Sequence, residues 1–228
     1  MDYLFPPALL ASVAIAGSAQ RFPVHRIYCI GRNYADHAKE MGAPVDRGNP
    51  VFFCKPADAV VADRAQIPYP PGTSELHHEV EMVVALQSGG VDIAPAQACK
   101  HVFGYAVGLD LTRRDLQAIA KAKALPWDSA KAFDRSAPLS SIRRASDVGH
   151  PQHARLSLEV NGTLRQQADI ADMVFAVPEI IARLSQLFEL KAGDLIFTGT
   201  PAGVAALDRG DRFHARLEGI AELFGAIA

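Results

Sequence analysis

The chain has 228 residues, 49% of them apolar, so one domain can bury a sizeable core without disulfides or metal staples. Its 23 basic and 25 acidic residues give a net charge of −2, a balance that argues against a nucleic-acid-binding protein. Cys29, Cys54 and Cys99 are scattered and odd in number. They form neither a disulfide framework nor a metal motif, which predicts a reducing, cytoplasmic location.

The N-terminal region is read as an extension. No apolar run approaches the ~20 residues that a membrane-spanning helix needs, so we expect no membrane association. Residues 8–19 imitate the core of a signal peptide, but Asp2 is the only charged residue before them, where a signal peptide carries positive charge. We interpret them as a short strand with its lead-in. Proline content and weak patterning predict an extension over residues 1–25 and one domain over residues 26–228.

The domain is predicted to begin with a strand and a helix. Residues 26–31 consist of an arginine, four apolar residues and a closing glycine, which predicts a short buried strand. Residues 32–41 mix charged side chains with an apolar minority and predict a helix that ends at Gly42 and Pro44. Further strands are predicted at residues 51–54, 79–86 and 195–198.

A second helix is predicted over residues 112–123. Thr112 and Asp115 are spaced as in a capping box, with aspartate in place of the usual glutamate. Lys121 and Lys123 would then lie on a solvated face of this helix. Pro126 stops the helix.

The clearest local signal is a hairpin. Asn161 and Gly162 separate two alternating runs, at residues 156–160 and 163–165, and this dipeptide predicts a type I′ turn. Pro178 then opens a helix with one apolar stripe. The stripe comprises Ile180, Ile181, Leu184, Leu187 and Phe188.

Short strands outnumber helices, and the chain has no repeat and no long linker. This pattern predicts a strand-rich α+β fold rather than an alternating Rossmann-type fold. The glycines of residues 199–203 are weak evidence for phosphate binding, because the lysine of a P-loop does not follow them.

Three carboxylates predict a metal site. Glu79 and Glu81 lie two residues apart in a predicted strand, so both side chains point to the same face. Neighbouring carboxylates are costly to bury, and a shared cation removes that cost. Asp110 ends another apolar run, and an all-oxygen site suits Mg²⁺ or Mn²⁺ better than Zn²⁺. Taken alone, the glutamate pair would more often be a solvated strand face. His77 and His78 lack a cysteine or a spaced third histidine, so they are predicted to pack beside the site.

Four segments add a signal through their order and spacing. They are Gly31-Arg32-Asn33-Tyr34 with His37 and Glu40; His77-His78-Glu79-Val80-Glu81; Gly104-Tyr105 through Asp110 to Arg114, Asp115 and Gln117; and Thr198-Gly199-Thr200-Pro201 with Gly203. In this order they resemble the fumarylacetoacetate hydrolase family, and within it the acylpyruvate hydrolases. The resemblance covers nearly everything from residue 26 to residue 217. One departure is Ala205, where many relatives have glycine.

The resemblance implies a fold and a cofactor. Members of the family form a mixed β-sandwich roll with short flanking helices and are usually homodimers. They bind one Mg²⁺ or Mn²⁺ through two glutamates and an aspartate, which fall on Glu79, Glu81 and Asp110. The catalytic lysine of the family falls on Lys131.

The resemblance also implies catalytic roles for a 2,4-dioxo acid substrate. The family's His–Glu pair falls on His37 and Glu40, three residues apart and on one helix face. His37 would take a proton from the attacking water while Glu40 orients the ring. Lys131 and Gln117 are the predicted donors to the oxyanion at carbon 4.

Further residues are predicted to bind the substrate. The far carboxylate of a fumaryl chain would need a cation, either Arg32 or Arg114, and the sequence does not decide between them. Lys55 and Thr200 are expected to line the same pocket.

Three functions remain open. Residues 22–24, 55–60 and 110–117 resemble the subgroup that hydrolyses fumarylpyruvate to fumarate and pyruvate in aromatic breakdown through gentisate. The first alternative is a decarboxylase or isomerase of a 2-oxo acid such as oxaloacetate, because these reactions share an enolate. The second is a non-catalytic protein that binds a metal or a dicarboxylate. Fold analogy alone does not fix the substrate.

Overall fold

The computed structural model describes residues 2–40, 42, 47–48 and 50–228. At the predicted end of the first helix, Met41 and Pro44 lie outside these residues, whereas Gly42 is described. The strands are β1 (Ser12–Ala14), β2 (Arg21–Pro23), β3 (Ile27–Gly31), β4 (Val51–Lys55), β5 (Val60–Ala62), β6 (Ala65–Ile67), β7 (Leu76–His77), β8 (Val80–Leu86), β9 (Val102–Leu109), β10 (Thr112–Arg113), β11 (Ala137–Leu139), β12 (Arg143–Arg144), β13 (Arg155–Val160), β14 (Thr163–Asp169), β15 (Leu195–Phe197), β16 (Arg212–Leu217) and β17 (Ala221–Ile227). The helices are α1 (Ala35–Glu40), α2 (Pro95–Ala98), α3 (Arg114–Ala122), α4 (Asp128–Lys131), α5 (Ala145–Val148) and α6 (Val177–Leu187), with 3-10 turns at Ala57–Ala59, Cys99–His101 and Ile170–Asp172.

Two mixed sheets form the framework. The larger has eight strands in the order β4-β3-β15-β8-β9-β11-β5, with β12 beside β9. In this sheet β15 runs parallel to β3 and β11 parallel to β5, while β8 runs antiparallel to both of its neighbours. The smaller sheet has the order β14-β13-β16-β17-β6, and its β17–β6 pair is parallel. The predicted strand-rich α+β fold is confirmed.

Strand β8 is buried on both faces because a core lies on each side of the larger sheet. Met82 and Val84 belong to the core shared with the smaller sheet, while Val83 and Ala85 belong to a second core. The N-terminal hairpin β1–β2 contributes to the second core through Val13, Ile15 and Phe22. The proposed division of the chain after residue 25 stays a prediction.

Helix α1 begins at Ala35, three residues later than predicted. Arg32 has a φ of +60°, in the left-handed region, so it cannot form the first turn. Asn33 is fully buried and binds distant backbone. Its Nδ2 donates to the carbonyls of Phe175 at 3.0 Å and Thr198 at 2.8 Å. These tertiary bonds fix the segment before the helix in a non-helical path.

Helix α3 begins at Arg114, so the predicted start at Thr112 and its capping box are wrong. Thr112 lies in β10, and its buried hydroxyl donates to the Asp110 carbonyl at 3.1 Å. Asp115 accepts a hydrogen bond from the Thr73 hydroxyl at 2.6 Å instead of serving a local cap. Both side chains therefore make hydrogen bonds other than those of the predicted capping box.

The Asn161-Gly162 turn is confirmed. It joins the antiparallel strands β13 and β14, and its two residues have φ values of +53° and +75°. A type I′ turn requires positive φ at both central positions, which asparagine and glycine tolerate. The local sequence alone specifies this element.

Helix α6 buries most of its predicted apolar stripe. Leu187 is the exception, with 65% of its surface exposed, because the helix ends there and the backbone becomes extended at Phe188. The ring of Phe188 packs on Tyr28, with centroids 5.0 Å apart. The buried members of the stripe are Ile180, Ile181 and Leu184.

Cys29, Cys54 and Cys99 are all free thiols in the structure. Within the ranges that the structure describes, no helix is both long enough and apolar enough to cross a membrane.

Candidate active site

Glu79, Glu81 and Asp110 converge because they lie at the ends of neighbouring antiparallel strands. Glu79 precedes β8, Glu81 is the second residue of β8, and Asp110 follows β9. The Asp110 N–H donates to the Glu79 carbonyl at 2.8 Å. One carboxylate oxygen from each side chain lies within 4.8 Å of the other two. All three residues are buried, and we refer to them as the acidic cluster.

The acidic cluster has oxygen atoms that suit a cation. In the described part of the chain, buried Asp110 Oδ1 has no hydrogen bond, although Lys55 Nζ forms an ion pair with it at 2.8 Å. Glu81 accepts a hydrogen bond from the Gly199 N–H at 2.7 Å. Burial, Asp110 and Glu79 raise the pKa of Glu81 well above its usual range. A divalent cation would relieve this repulsion, and three carboxylates fit Mg²⁺ or Mn²⁺.

Lys131 packs against the acidic cluster from the end of α4 and is buried. Its ammonium donates to Glu79 Oε2 at 2.7 Å, Asp110 Oδ2 at 2.6 Å and the Thr112 hydroxyl at 2.7 Å. Burial lowers its pKa, but Asp110 and Glu79 outweigh burial and leave it raised. All three N–H bonds are used within the protein. Donation to a substrate oxyanion would therefore require Lys131 to release one of these partners.

The sequence analysis expected Lys55 to line the pocket. In the structure its side chain lies behind Asp110 instead. Its ammonium pairs with Asp110 Oδ1 and donates to the carbonyls of Leu111, at 3.1 Å, and Lys131. Only 1% of the residue is exposed. Lys55 thus balances the charge of a carboxylate in the acidic cluster, and its position leaves no direct contact for a substrate.

Arg114 and Gln117 lie one turn apart on α3. Arg114 Nη2 donates to Glu79 Oε1, and Nη1 donates to Gln117 Oε1 at 2.5 Å. Burial raises the pKa of Glu79, but Lys131 and Arg114 outweigh burial and hold it below its usual range. Because a guanidinium can only donate, the amide oxygen of Gln117 must face Arg114. The Gln117 NH₂ group is left to donate elsewhere, as an oxyanion donor would.

His37 and Glu40 form the predicted pair on α1. His37 Nδ1 lies 3.3 Å from Glu40 Oε2, and Glu40 also accepts from the Gly203 N–H at 3.2 Å. Burial lowers the pKa of His37, and Glu79 and Glu40 only partly offset burial. A buried imidazole with a lowered pKa is neutral near pH 7 and can accept a proton.

His77 and His78 lie beside the acidic cluster and contact Arg114 and Gln166, respectively. His77 Nδ1 accepts from Arg114 Nε at 3.4 Å, and burial, Arg114 and His78 lower its pKa to about 4. His78 Nδ1 lies 2.8 Å from Gln166 Oε1. Among the residues with defined positions, the acidic cluster is the one group of three or more metal-type ligands. That neither histidine binds zinc stays a prediction.

Gln166 is a site residue that the sequence analysis missed. It is buried in β14, and its Oε1 accepts from the N–H of Val80 at 3.0 Å. Its Nε2 donates to the Thr200 hydroxyl and to the Pro201 carbonyl, each at 2.8 Å. Gln166 thus joins the start of β8 to the Thr200 loop. Its place after the Asn-Gly hairpin gives no sequence signal for this role.

A cavity that is partly open to solvent lies over the acidic cluster. Lys121 is exposed on α3, as predicted, and its side chain also lines this cavity, which the sequence analysis did not expect. Residues 114, 117 and 121 are spaced for one helix face, a signal that could have placed it. Of the predicted site residues, Glu40 and Lys55 do not line the cavity. Beside the acidic cluster and Lys131, the polar lining comprises Arg32, His37, Arg114, Gln117, Lys121 and Thr200.

The comparison with known families decides the classification. The profile described as "Fumarylacetoacetate (FAA) hydrolase C-terminal" matches residues 26–228. The chain belongs to the fumarylacetoacetate hydrolase family. The matched range includes every residue of the acidic cluster and of the cavity wall described above.

Solved structures of fumarylacetoacetate hydrolase family members resemble this chain over its whole length. Fumarylpyruvate hydrolase from Pseudomonas aeruginosa, in complex with Mn²⁺ and pyruvate, is 50% identical, with a TM-score of 0.97 over 100% of this chain and 99% of that one. A candidate fumarylpyruvate hydrolase from Burkholderia cenocepacia is 52% identical, with a TM-score of 0.94 over the same shares. The predicted β-sandwich roll of the family is confirmed.

A relative from the same family has a different activity in its name. Oxaloacetate tautomerase YcgM from Escherichia coli (strain K12) is 42% identical over 204 residues, which cover 89% of this chain and 93% of the relative. Membership of the fumarylacetoacetate hydrolase family therefore leaves both a carbon–carbon hydrolase and a 2-oxo acid tautomerase to consider.

Proposed function

We propose that this protein is a divalent-metal-dependent acylpyruvate hydrolase that cleaves fumarylpyruvate to fumarate and pyruvate. The observation that carries the proposal is one cavity that contains the acidic cluster, the buried imidazole of His37 and cations left for an anionic substrate. The similarity to the Pseudomonas aeruginosa fumarylpyruvate hydrolase over the whole chain supports it. Glu79, Glu81 and Asp110 would hold the Mg²⁺ or Mn²⁺.

The residues of this chain supply the rest of the chemistry. A bound cation would stabilise, as a Lewis acid, the negative charge that develops on the 2-oxo group of the substrate. Nε2 of His37 accepts a proton as water attacks carbon 4, and Glu40 orients the ring through Nδ1. The NH₂ group of Gln117 donates to the oxyanion at carbon 4.

The bond between carbon 3 and carbon 4 then breaks. Its electron pair passes to carbon 3, so pyruvate leaves as its enolate and carbon 4 becomes the new carboxylate of fumarate. The proton taken up by His37 returns to carbon 3, directly or through water. Arg114 and Lys131 hold Glu79 in place during these steps, as their contacts in the structure indicate.

The second function to test is tautomerisation or decarboxylation of a 2-oxo acid such as oxaloacetate. The similarity to oxaloacetate tautomerase YcgM favours it. Both reactions would use the acidic cluster, but neither consumes a water molecule as hydrolysis does. They therefore place a weaker demand on a base that activates water.

One assay separates these functions. Protein stripped with EDTA is resupplied with Mg²⁺ or Mn²⁺, and kcat/KM is compared for fumarylpyruvate, by its absorbance, and for oxaloacetate. We expect His37→Ala to lower fumarylpyruvate hydrolysis about 10²- to 10⁴-fold while Mn²⁺ binding is retained. His153→Ala, at an exposed histidine outside the cavity, is the matched control.

The outcomes point to different functions. Unchanged hydrolysis in His37→Ala would remove the base from the mechanism. A higher kcat/KM for oxaloacetate than for fumarylpyruvate would favour the tautomerase or decarboxylase. The absence of turnover with either metal would favour a non-catalytic binding protein.

Three further statements stay predictions. They are a homodimeric state, a cytoplasmic location and a role in aromatic breakdown through gentisate. Light scattering after size-exclusion chromatography measures the first directly. The other two depend on the substrate, so the fumarylpyruvate assay comes before them.

A further inference from the structure

The sequence leaves open which arginine faces the far end of the substrate, and the structure removes Arg114 from the choice. Its guanidinium is already bonded to Glu79, Gln117 and His77. A carboxylate drawn to Arg114 would compete with Glu79, a member of the acidic cluster. Arg114 therefore belongs to the floor of the cavity.

Arg32 is placed differently. It is half-buried, lines the cavity and has its backbone in the left-handed region at a φ of +60°. A non-glycine residue in that region is strained and persists where its surroundings hold it, here through the tertiary bonds of Asn33. No acidic group of the described ranges lies within ion-pair distance of Arg32. The strained backbone thus directs a cation without a protein counter-ion into the cavity.

Lys121 lines the same cavity, two helical turns beyond Arg114. Its ammonium lies 5.5 Å from the centroid of the Trp127 ring, and it too has no ion pair with any residue whose position is defined. Burial, followed by Arg114 and Arg32, lowers the pKa of Lys121 to about 8. Two cations without anionic partners among the described residues therefore line one cavity, and we call the part of its wall formed by Arg32 and Lys121 the mouth. Such an arrangement is unfavourable until an anion enters.

We propose that Arg32 and Lys121 bind the distal carboxylate of a dianionic acylpyruvate and so select dicarboxylic over monocarboxylic substrates. The inference rests on the proposed function and names the substrate class of the same site. Ile30, Phe53 and Trp127 supply the apolar wall of the cavity. A flat, conjugated four-carbon acyl chain matches such a wall, with the dioxo acid end over the acidic cluster and the carboxylate at the mouth.

The test compares two substrates that differ at the distal end. Fumarylpyruvate carries the distal carboxylate, and acetylpyruvate lacks it. We expect Lys121→Met, which keeps the alkyl stem, to lower kcat/KM for fumarylpyruvate about 10- to 100-fold and to leave acetylpyruvate within about twofold. Lys121→Arg should restore most of the loss. Lys123→Met, exposed on the same helix end, is the matched control and should leave both substrates unchanged.

A binding measurement needs no turnover. Trp127 is the only tryptophan of the chain and lies in the cavity wall, so its fluorescence reports occupancy. Fumarate and crotonate, which has a methyl group in place of one carboxylate, are titrated into the Mg²⁺-loaded protein. We expect Lys121→Met and Arg32→Met each to raise the Kd of fumarate about tenfold, with crotonate unchanged.

Failure of this inference and failure of the proposed function are distinguishable. If wild type hydrolyses fumarylpyruvate but Lys121→Met affects both substrates equally or neither, the inference is wrong and the hydrolase stands. If wild type hydrolyses neither substrate but fumarate binding still depends on Lys121, the hydrolase is wrong and the distal carboxylate site stands. If fumarate and crotonate bind alike in wild type, the inference is overturned.

Discussion

The floor and the mouth of the cavity differ in whether their charged side chains have partners of opposite charge. On the floor, Glu79 and Asp110 are fully surrounded by cations, with Lys131 bonded to both. At the mouth, Arg32 and Lys121 lack acidic partners within the described residues. A buried charge is stable only when it is paired, so the floor is a preformed part of the protein. A mouth with unpaired cations is completed by its ligand.

The pairing also explains why the floor needs so many cations. Three buried carboxylates repel each other, and the raised pKa of Glu81, caused by burial, Asp110 and Glu79, shows which of them is least satisfied. Lys55, Lys131 and Arg114 offset the other two. A divalent ion at Glu81 would supply the remaining positive charge, which is why the geometry suits a metal.

The largest effect is expected for Lys131→Met, which disrupts the ion-pair network of the floor. Removing Lys131 from this buried ion-pair network leaves Glu79 paired only with Arg114 and Asp110 only with Lys55, so the free energy of unfolding should fall by about 3–5 kcal/mol. Urea denaturation of the metal-free protein measures this. Lys123→Met, at an exposed lysine, should stay within about 0.5 kcal/mol of wild type. Equal stability of the two variants would show that the floor does not depend on its pairing.

An intermediate effect is expected at the mouth when pH rises. Lys121 has a pKa of about 8, lowered by burial, Arg114 and Arg32, so its charge is present below that pH and is lost above it. The ratio of kcat/KM for fumarylpyruvate to that for acetylpyruvate should fall up to about tenfold between pH 7 and pH 9. The ratio cancels ionisations common to both substrates. In Lys121→Arg the ratio should stay flat, and an equal fall there would assign the change to another group.

The smallest effect on turnover is expected for Glu40→Gln. Glu40 is 38% exposed in its side chain and lies 3.3 Å from His37 Nδ1, a geometry that supports a modest interaction. We expect kcat to fall about three- to tenfold, far less than in His37→Ala, because glutamine keeps an oxygen that accepts from Nδ1. A pH profile of kcat/KM provides the check. A loss as large as that of His37→Ala would give Glu40 a more direct role.

The sequence predicts the elements that local geometry specifies. The acidic cluster follows from the two-residue period of a strand and from a neighbouring strand that ends in Asp110. The Asn161-Gly162 turn follows from the backbone freedom of its two residues. Both depend on contacts between residues close in sequence or on adjacent strands.

The remaining site residues depend on contacts across the fold. Thr112 does not cap α3, because its hydroxyl bonds to Lys131 and to the Asp110 carbonyl in the protein interior. Gln166 acquires its role because β14 packs near the Thr200 loop. The contacts of Thr112 with Lys131 and of Gln166 with Thr200 join residues far apart in the sequence, so no local pattern predicts them. Lys121 is different, because its spacing from Arg114 and Gln117 places it on the same helix face.

The most direct measurement of the central claim is a Mn²⁺ titration of the metal-free protein by electron paramagnetic resonance. We expect one ion per chain in wild type and a loss of that binding in Glu81→Gln. His37→Ala and Lys121→Met should bind Mn²⁺ as wild type does. Stoichiometric Mn²⁺ binding that survives in a variant with Glu79, Glu81 and Asp110 all changed to their amides would contradict the account.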